Sequence, residues 1–276
     1  MSYGEASIMI ALTAVISVMA ANLIRRALDF DARRKLHEIG NPVYLQIGVV
    51  FAILLGFVFN QVWDAYNTAE QAINGECGAL HGAAMLAHNL PDRHGRGVEQ
   101  ASLNYLSTVI NDEWAALEHR EESPKAVSAF QKIVEVAGSL NIGQPTEATI
   151  QDQILSLLAK AHAFRETRIF QAKGLPITIW LILSFYGFVL MLFVLFGAVK
   201  SPTGHFFFAA VFAISIVLVL IVVRLLYPFE GALRLRSDDF VNRIEHIKDA
   251  PLALSARRRL HMAADHTLGI GPFPSK

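Results

Sequence analysis

The sequence predicts an all-α integral membrane protein with four transmembrane helices and a helical extramembrane domain inserted between the second and third spans. Its 276 residues are 53% hydrophobic and only 17% charged, with a mean hydropathy of +0.39, a composition typical of membrane proteins. Four apolar runs each approach the ~20 residues that a helix needs to cross a bilayer. The stretch between the second and third runs is more polar and has helical rather than strand periodicity.

Charge, cysteine content and motifs exclude several classes of protein. The 24 basic residues balance the 24 acidic ones, and no basic stripe carries interleaved aromatic residues, so we expect no nucleic-acid partner. The single cysteine, Cys77, excludes an internal disulfide framework. No Ser-His-Asp order, glycine-rich phosphate loop, HExxH or CxxC motif is present, so we expect neither an enzyme nor a cofactor.

The first span is predicted at Ile8–Ile24. Thr13, Ser17 and Ala21 recur along it every four residues. This stripe of small residues favours close helix packing, although a weak membrane anchor would also fit. Glu5 precedes the span where a cleavable signal peptide would carry a basic residue.

A single long helix is predicted from Val43 to Leu90, with Pro42 at its first position and Pro91 closing its end. Its first half is apolar enough to span a bilayer and its sequence turns polar after Asn60. The second half would extend about 40 Å into water at 1.5 Å per residue.

The third and fourth spans follow in quick succession. Pro176 opens the third, and the fourth runs from Phe206 to about Leu226. The fourth is favourable to insert by roughly 5–9 kcal/mol on the biological hydrophobicity scale. The predicted organisation has four parts: residues 1–63 with the first two transmembrane helices, 64–174 as the extramembrane helical bundle, 175–236 with the third and fourth transmembrane helices, and 237–276 as a C-terminal helix and tail.

Two stripes of apolar residues predict helices in the middle domain. Ser123 is a predicted N-cap with Pro124 at the first helical position. Breaks are expected at 91–97, 123–124 and 143–145. The stripes are Leu103, Leu106, Ile110, Trp114 and Leu117, and then Ile150, Ile154, Leu157, Ala161 and Phe164.

Charge gives conflicting signals about orientation. A basic cluster between the first two spans favours a cytoplasmic loop and therefore a middle domain outside the cell. The C-terminal segment is also basic and would then lie outside, against the same rule. The basic residues are Arg25, Arg26, Arg33, Arg34 and Lys35 in the first cluster, and Arg234, Arg236, Arg243, Lys248, Arg257, Arg258 and Arg259 in the second.

One face of the long helix is a candidate pore lining. Ile53 and Phe57 could form a hydrophobic constriction, followed by a polar mouth at Asn60, Asp64 and Asn67. Several copies arranged around an axis would supply rings of these residues. A packed seam, or a helix emerging into water, would show the same pattern.

Other polar residues have simpler explanations. Cys77 and His81 lie one helical turn apart and could share a soft metal, but no second ligand pair accompanies them, so we expect no metal site. Asp112, Glu113 and Trp114 are most simply a solvated helix face. Glu113 could instead pair with an arginine across the bundle.

Several residues, each of which is a weak family signal by itself, follow one another in a recognisable order along the chain. They are Trp63, Tyr66, Ala69, Glu76, Ala79, Leu80 and Leu90-Pro91, then Tyr105, Glu113-Trp114, Arg168, Leu175-Pro176 and Trp180, and last Pro228-Phe229-Glu230-Gly231. In these the chain resembles the bacterial family of membrane proteins with a bestrophin-like domain, over roughly Ile8–Phe240. One departure is Leu226, where the family usually has an acidic residue.

The resemblance implies a four-span helical fold and, through bestrophins, a homo-oligomeric anion channel in the bacterial inner (plasma) membrane. The inference of an anion channel rests on an analogy between folds. Bestrophins keep their helical bulk in the cytoplasm, against the orientation that the first basic cluster favours. Asp64 at a pore mouth would also disfavour anions.

Two functions therefore stay open. The first is a homo-oligomeric ion channel whose partners are the lipid bilayer and its own copies. The second is a non-conducting structural or accessory subunit of a larger membrane complex, favoured by the apolar third and fourth spans and the extended tail. Ion flux through the purified protein distinguishes them.

Overall fold

A computed structural model describes residues 3–140 and 143–248, which are helical and contain no strand. The predicted fold class is confirmed. The helices are α1 (Tyr3–Ala27), α2 (Phe30–Ala87), α3 (Asp92–Thr108), a π-helical turn (Val109–Glu113), α4 (Trp114–Glu118), α5 (Pro124–Gly138), α6 (Pro145–Ala172), α7 (Ile177–Leu195) and α8 (Pro202–Leu225). Residues 238–248 form a last helical segment, α9. The predicted tail beyond Pro251 lies outside the described residues.

Within residues 3–140 and 143–248, four helices are long and apolar enough to cross a membrane: α1, α2, α8 and the segment that contains α7. The chain forms two compact units. Among the described residues, the first comprises 3–69 with 171–235, and the second comprises 70–140 and 143–170 with 236–248.

The long helix is unbroken at Trp63, as predicted, but its start is not at Pro42. It begins at Phe30, and Pro42 lies inside it. Asp29 caps the earlier start, because its Oδ1 accepts a hydrogen bond from the Ala32 backbone N–H at 3.0 Å. Arg34 and Glu38 add an ion pair at the favourable spacing of four. The basic cluster predicted as one loop therefore lies mostly in the end of α1 and the first turns of α2.

The first unit is held by α1, α7, α8 and the membrane-spanning part of α2. The small-residue stripe of α1 packs as expected: Ser17 and Ala21 are buried, and Ala21 contacts the cluster that contains Leu195 and Ala209. A second apolar cluster joins α2 to α7 and α8 through Phe51, Val58, Val62, Leu175, Leu183, Leu190, Val223, Leu226 and Tyr227. Leu226, the position that departs from the family pattern, is therefore a core residue.

The turn before α7 is fixed by Tyr227. Its hydroxyl oxygen accepts hydrogen bonds from the Leu175 backbone N–H at 3.2 Å and from Trp180 Nε1 at 2.8 Å. Gly174 has a φ of +66°, and a Cβ there would lie 3.0 Å from the Tyr227 ring. Glycine is thus required both by the backbone and by the space.

The second unit contains α3, the π-helical turn, α4, α5, most of α6, α9 and the Glu70–Ala87 part of α2. Ser123 caps α5 as predicted, with its Oγ accepting from the Ala126 N–H at 3.4 Å. The helix break predicted at 91–97 is confirmed only at Pro91, because α3 already begins at Asp92. Gly95 lies inside α3 where a Cβ would meet the Ala87 carbonyl oxygen at 2.4 Å, so it permits close approach rather than ending a helix.

Replacing Gly174 with alanine should lower stability, because a left-handed φ costs a residue with a Cβ about 1–2 kcal/mol and the Tyr227 ring must also move. Thermal unfolding in detergent measures the change. Gly78→Ala is the control, since Gly78 lies inside α2 with open space around it, and alanine should stabilise a helix interior there by about 0.5–1 kcal/mol. A Gly174→Ala protein as stable as wild type would contradict this account.

Candidate functional site

The predicted pore residues lie on one face of α2 within the first unit. Ile53 and Phe57 are 54% and 71% exposed, Asn60 and Asp64 are exposed, and Asn67 is half-buried. Positions 53, 57, 60, 64 and 67 fall at helical spacings of three and four, so their side chains share a face.

The opposite side of α2 is buried. Phe51, Val58 and Val62 pack into the apolar cluster with α7 and α8. This packing fixes the rotation of α2, so that the candidate pore face is turned away from the other helices of its own unit. Within one chain the described residues thus leave an apolar-to-polar face uncovered.

The second unit contains a buried cluster of charged side chains. Glu76 on α2, Glu113 at the end of the π-helical turn, and Arg165 and Arg168 on α6 are each at most 2% exposed. Two carboxylates thus face two guanidinium groups, and the cluster is electrically balanced. Charges are almost never fully buried unless they are paired in this way.

Arg168 joins the two carboxylates. Its Nε donates to Glu76 Oε2 at 2.8 Å and its Nη2 to Glu76 Oε1 at 3.2 Å, a bidentate pair. The same Nη2 donates to Glu113 Oε2 at 2.6 Å. Burial opposes the charge on Arg168, but Glu76 and Glu113 outweigh it and raise the pKa of its guanidinium.

Arg165 and Tyr105 complete the cluster. Arg165 donates to Glu113 and, through Nη1, to Glu122 Oε1 at 2.8 Å. The Tyr105 hydroxyl donates to Glu76 Oε1 at 2.5 Å. Burial and the neighbouring Glu76 carboxylate raise the pKa of Tyr105 well above its usual value, so the phenol remains a donor.

Two aromatic rings cover the Arg168 guanidinium. Its Cζ lies 5.6 Å from the Trp114 ring centroid and 5.5 Å from that of Phe240, within the range of cation–π attraction. The two rings meet edge to face at 5.5 Å. Because Phe240 belongs to α9 and is fully buried, Arg168 also holds the C-terminal segment within this unit.

The π-helical turn brings Glu113 and Trp114 to the cluster. These two side chains are consecutive, yet both are buried and both contact Arg168. A π turn inserts an extra residue into a helix and changes the direction of the side chains that follow it, and such turns are frequent at functional sites.

Comparison with known proteins identifies the family of this chain. The family model described as the bestrophin-like domain matches residues 10–240. The chain belongs to the bestrophin-like family. No curated protein matches it in sequence.

Solved structures agree on the fold of this bestrophin-like chain. A mutant of a bacterial bestrophin homologue from Klebsiella pneumoniae aligns with a TM-score of 0.63 at 15% identity, covering 87% of this chain and 98% of that one. The homologue solved by zinc phasing gives 0.61 at 14% identity, covering 87% and 97%. A structure described as a membrane protein gives 0.63 at 14%, covering 88% and 97%. At these identities the likeness concerns the fold.

Five of the residues that carry the family resemblance meet in the buried cluster. Glu76, Tyr105, Glu113, Trp114 and Arg168 are contiguous here, although they are spread over 93 positions of the sequence. The prediction that Glu113 pairs with an arginine is confirmed, with two arginines. The interpretation of Glu113 and Trp114 as a solvated face is wrong, because both are buried.

The predicted stripe on α6 is confirmed at Ile154 and Ala161 and wrong at Leu157 and Phe164. Leu157 and Phe164 are not buried; the buried stripe is Ile154, Leu158, Ala161, Arg165 and Arg168. These positions keep helical spacing, so two arginines continue the core face of the bestrophin-like chain. Long charged residues at core positions were the signal that could have located the cluster.

The remaining polar residues of α2 do not assemble into a metal site. Cys77 is buried, and burial raises the pKa of its thiol. The His81 ring lies 6.4 Å from that of His246. Among the described residues, no three His, Cys, Asp or Glu side chains are grouped to hold a metal ion.

Arg168→Ala should destabilise the second unit strongly, by about 3–5 kcal/mol, because it leaves the Glu76 and Glu113 carboxylates buried without their partner. Arg168→Lys should fall between this variant and wild type, since it keeps the charge but loses the bidentate geometry. Thermal unfolding of the purified protein measures both.

Lys160→Ala is the control for these variants, because Lys160 is exposed on the same helix. It should change stability by less than about 0.5 kcal/mol. If Arg168→Ala unfolded at the same temperature as Lys160→Ala, the cluster would have no role in holding the unit.

Proposed function

We propose that this bestrophin-like protein is a homo-oligomeric ion channel, with anions as the candidate ions. The observation that carries the proposal is the exposed face of α2, which passes from apolar Ile53 and Phe57 to polar Asn60 and Asp64. A narrow hydrophobic segment followed by a wider polar mouth is a recurrent channel design. Membership of the family supports the same function.

A channel of this kind requires several copies. The membrane-spanning helices of one chain bury apolar side chains against one another. A water-filled pore between these helices would need polar side chains, which these contacts do not supply. Rings of Phe57 and Asp64 from several chains around an axis would supply the constriction and the mouth. Exposed large apolar side chains along α2 suit contact with lipid or with other copies.

We also propose that the protein lies in the bacterial inner membrane and crosses it several times. Residues 1–63 and 175–236 would form its membrane part, with 64–174 outside the bilayer and 237–276 as a C-terminal helix and tail. Four sufficiently long apolar helices support this division. The proposal involves no enzymatic step.

Phe57→Ala should increase ion flux, because it widens the hydrophobic constriction and makes it easier to wet. The measurement is chloride flux from liposomes containing the purified protein. Phe188→Ala is the matched control: Phe188 is 62% exposed, close to the 71% of Phe57, but lies on α7. An equal effect of both substitutions would argue against α2 as the pore helix.

Absence of any flux from well-folded wild-type protein would reject the channel. A non-conducting oligomer, or co-purification in a larger assembly, would then favour the accessory-subunit alternative.

Asp64→Asn tests ion selectivity. A ring of carboxylates attracts cations and repels anions, so neutralising it should move the reversal potential in a salt gradient toward that of chloride. Glu70→Gln serves as control, since Glu70 is an exposed carboxylate of the same helix outside the five predicted positions. If the Asp64→Asn protein conducted ions but its reversal potential did not shift, Asp64 would lie away from the ion path.

A further inference from the structure

A cavity lies in the first unit, at the end where α2 begins and α7 ends. Its volume is about 250 Å³, and it is half open to the outside. The walls come from α2, α7, the connection after α7, and α8. They are aromatic on one side, with Tyr44, Phe193, Phe208 and Phe212, and include polar side chains at His37, Asn41 and His205.

Three of these aromatic rings are neighbours. The Tyr44 ring lies 5.7 Å from that of Phe193 and 6.4 Å from that of Phe212. Phe208 is 59% exposed on a helix apolar enough to span a bilayer. This side of the cavity is therefore open to the hydrocarbon region of a membrane and suits an acyl chain.

The other end of the cavity is electropositive. Arg33 Nη1 donates to the carbonyl of Gly197 at 3.1 Å, and Arg25 Nη1 to that of Val199 at 2.8 Å. Gly197 and Val199 both line the cavity. Two guanidinium groups thus lie one hydrogen bond from its wall.

The positive charge here is only partly compensated: Asp29 acts on Arg33, and Glu38 pairs with Arg34. The two guanidinium groups at the cavity wall bond to carbonyl oxygens, and within residues 3–140 and 143–248 Arg33 Nε has no hydrogen-bond partner although the side chain is buried. The segments that form this end, 25–38 and 197–205, contain six Lys or Arg residues against three acidic ones. The cavity lining itself contains no carboxylate.

A buried polar atom also remains unsatisfied on the cavity wall. His205 is fully buried; its Nε2 lies 3.2 Å from the Val194 carbonyl oxygen, whereas its Nδ1 has no partner among the described residues. Buried polar atoms are normally hydrogen-bonded. His205 thus adds a polar side chain to the lining of a cavity that is otherwise largely aromatic.

We propose that this cavity binds an anionic phospholipid, with its phosphate headgroup at the Arg25–Arg33 end and an acyl chain along Tyr44, Phe208 and Phe212. Basic pockets between membrane helices are a recognised setting for anionic headgroups. An apolar groove alone would accept any lipid; the charge at its end selects an anionic one. The site is independent of the candidate pore face, which occupies other residues of α2.

The test uses the full chain, purified in detergent and freed of lipid, with native mass spectrometry to count bound molecules. The probes are short-chain phosphatidylglycerol, the corresponding phosphatidylcholine, and inorganic phosphate. Phosphatidylglycerol should bind in preference to phosphatidylcholine, and phosphate alone should bind far more weakly because it lacks the acyl chain. Equal binding of the two lipids, or binding of phosphate as tight as that of the lipid, would overturn the proposal.

Two pairs of variants locate the site. Asn41→Trp fills the mouth of the cavity, whereas Gln46→Trp places the same ring at an exposed position of α2 outside it; only the first should abolish phosphatidylglycerol binding. Lys200→Ala removes one exposed charge beside the Arg25 contact and should weaken binding about fivefold, near the ~1 kcal/mol expected per basic residue.

Lys160→Ala removes an exposed lysine of α6 and should leave binding unchanged. Wild-type affinity in Asn41→Trp, with the fold intact by circular dichroism, would place any bound lipid elsewhere and overturn the assignment.

Discussion

The bidentate contact of Arg168 with Glu76, shared with Glu113, is the interaction on which the second unit depends. It joins α2, the π-helical turn and α6 at one point, and the rings of Trp114 and Phe240 extend it to α9. Each buried ion carries a desolvation cost of several kcal/mol, which is repaid only if the geometry is good and the remaining polar atoms are bonded. Tyr105 and Arg165 supply further bonds to the same two carboxylates, whereas Arg165 Nε and Arg168 Nη1 have no hydrogen-bond partner among the described residues.

Such a cluster restricts how the helices can pack against one another. Apolar side chains tolerate sliding of one helix past another, whereas a guanidinium that must meet two carboxylates does not. The planar fork of arginine fixes both distance and direction. The relative register of α2, the π-helical turn and α6 is therefore set by hydrogen bonds, and the apolar residues around them supply the bulk of the burial.

The first unit follows a different rule. Its helices are apolar on most sides, so the exposed rings of Phe185, Phe188 and Phe207 carry no penalty where they contact lipid. Close packing is achieved by small residues, as at Ala21 and Ala209. The faces of these helices therefore differ mainly in whether they carry polar groups. Such groups occur at the candidate pore face of α2 and at the electropositive cavity beside Arg33. Both features concern what the unit can bind or conduct rather than how it folds.

The sequence by itself determined the fold class, the four long apolar helices, the continuity of α2 through Trp63 and the cap at Ser123, because length, hydropathy and capping are local properties. It placed the start of α2 at Pro42, since proline usually opens a helix, and it could not weigh the cap that Asp29 provides upstream. Only the tertiary structure decided the rest. Arg165 and Arg168 are of a residue type usually found on the surface, yet they lie in the core, because their buried carboxylate partners Glu113 and Glu76 come from segments 52 and 92 residues away in the chain. No local pattern contains that information: the burial of a charge is allowed only when a distant partner arrives to neutralise it.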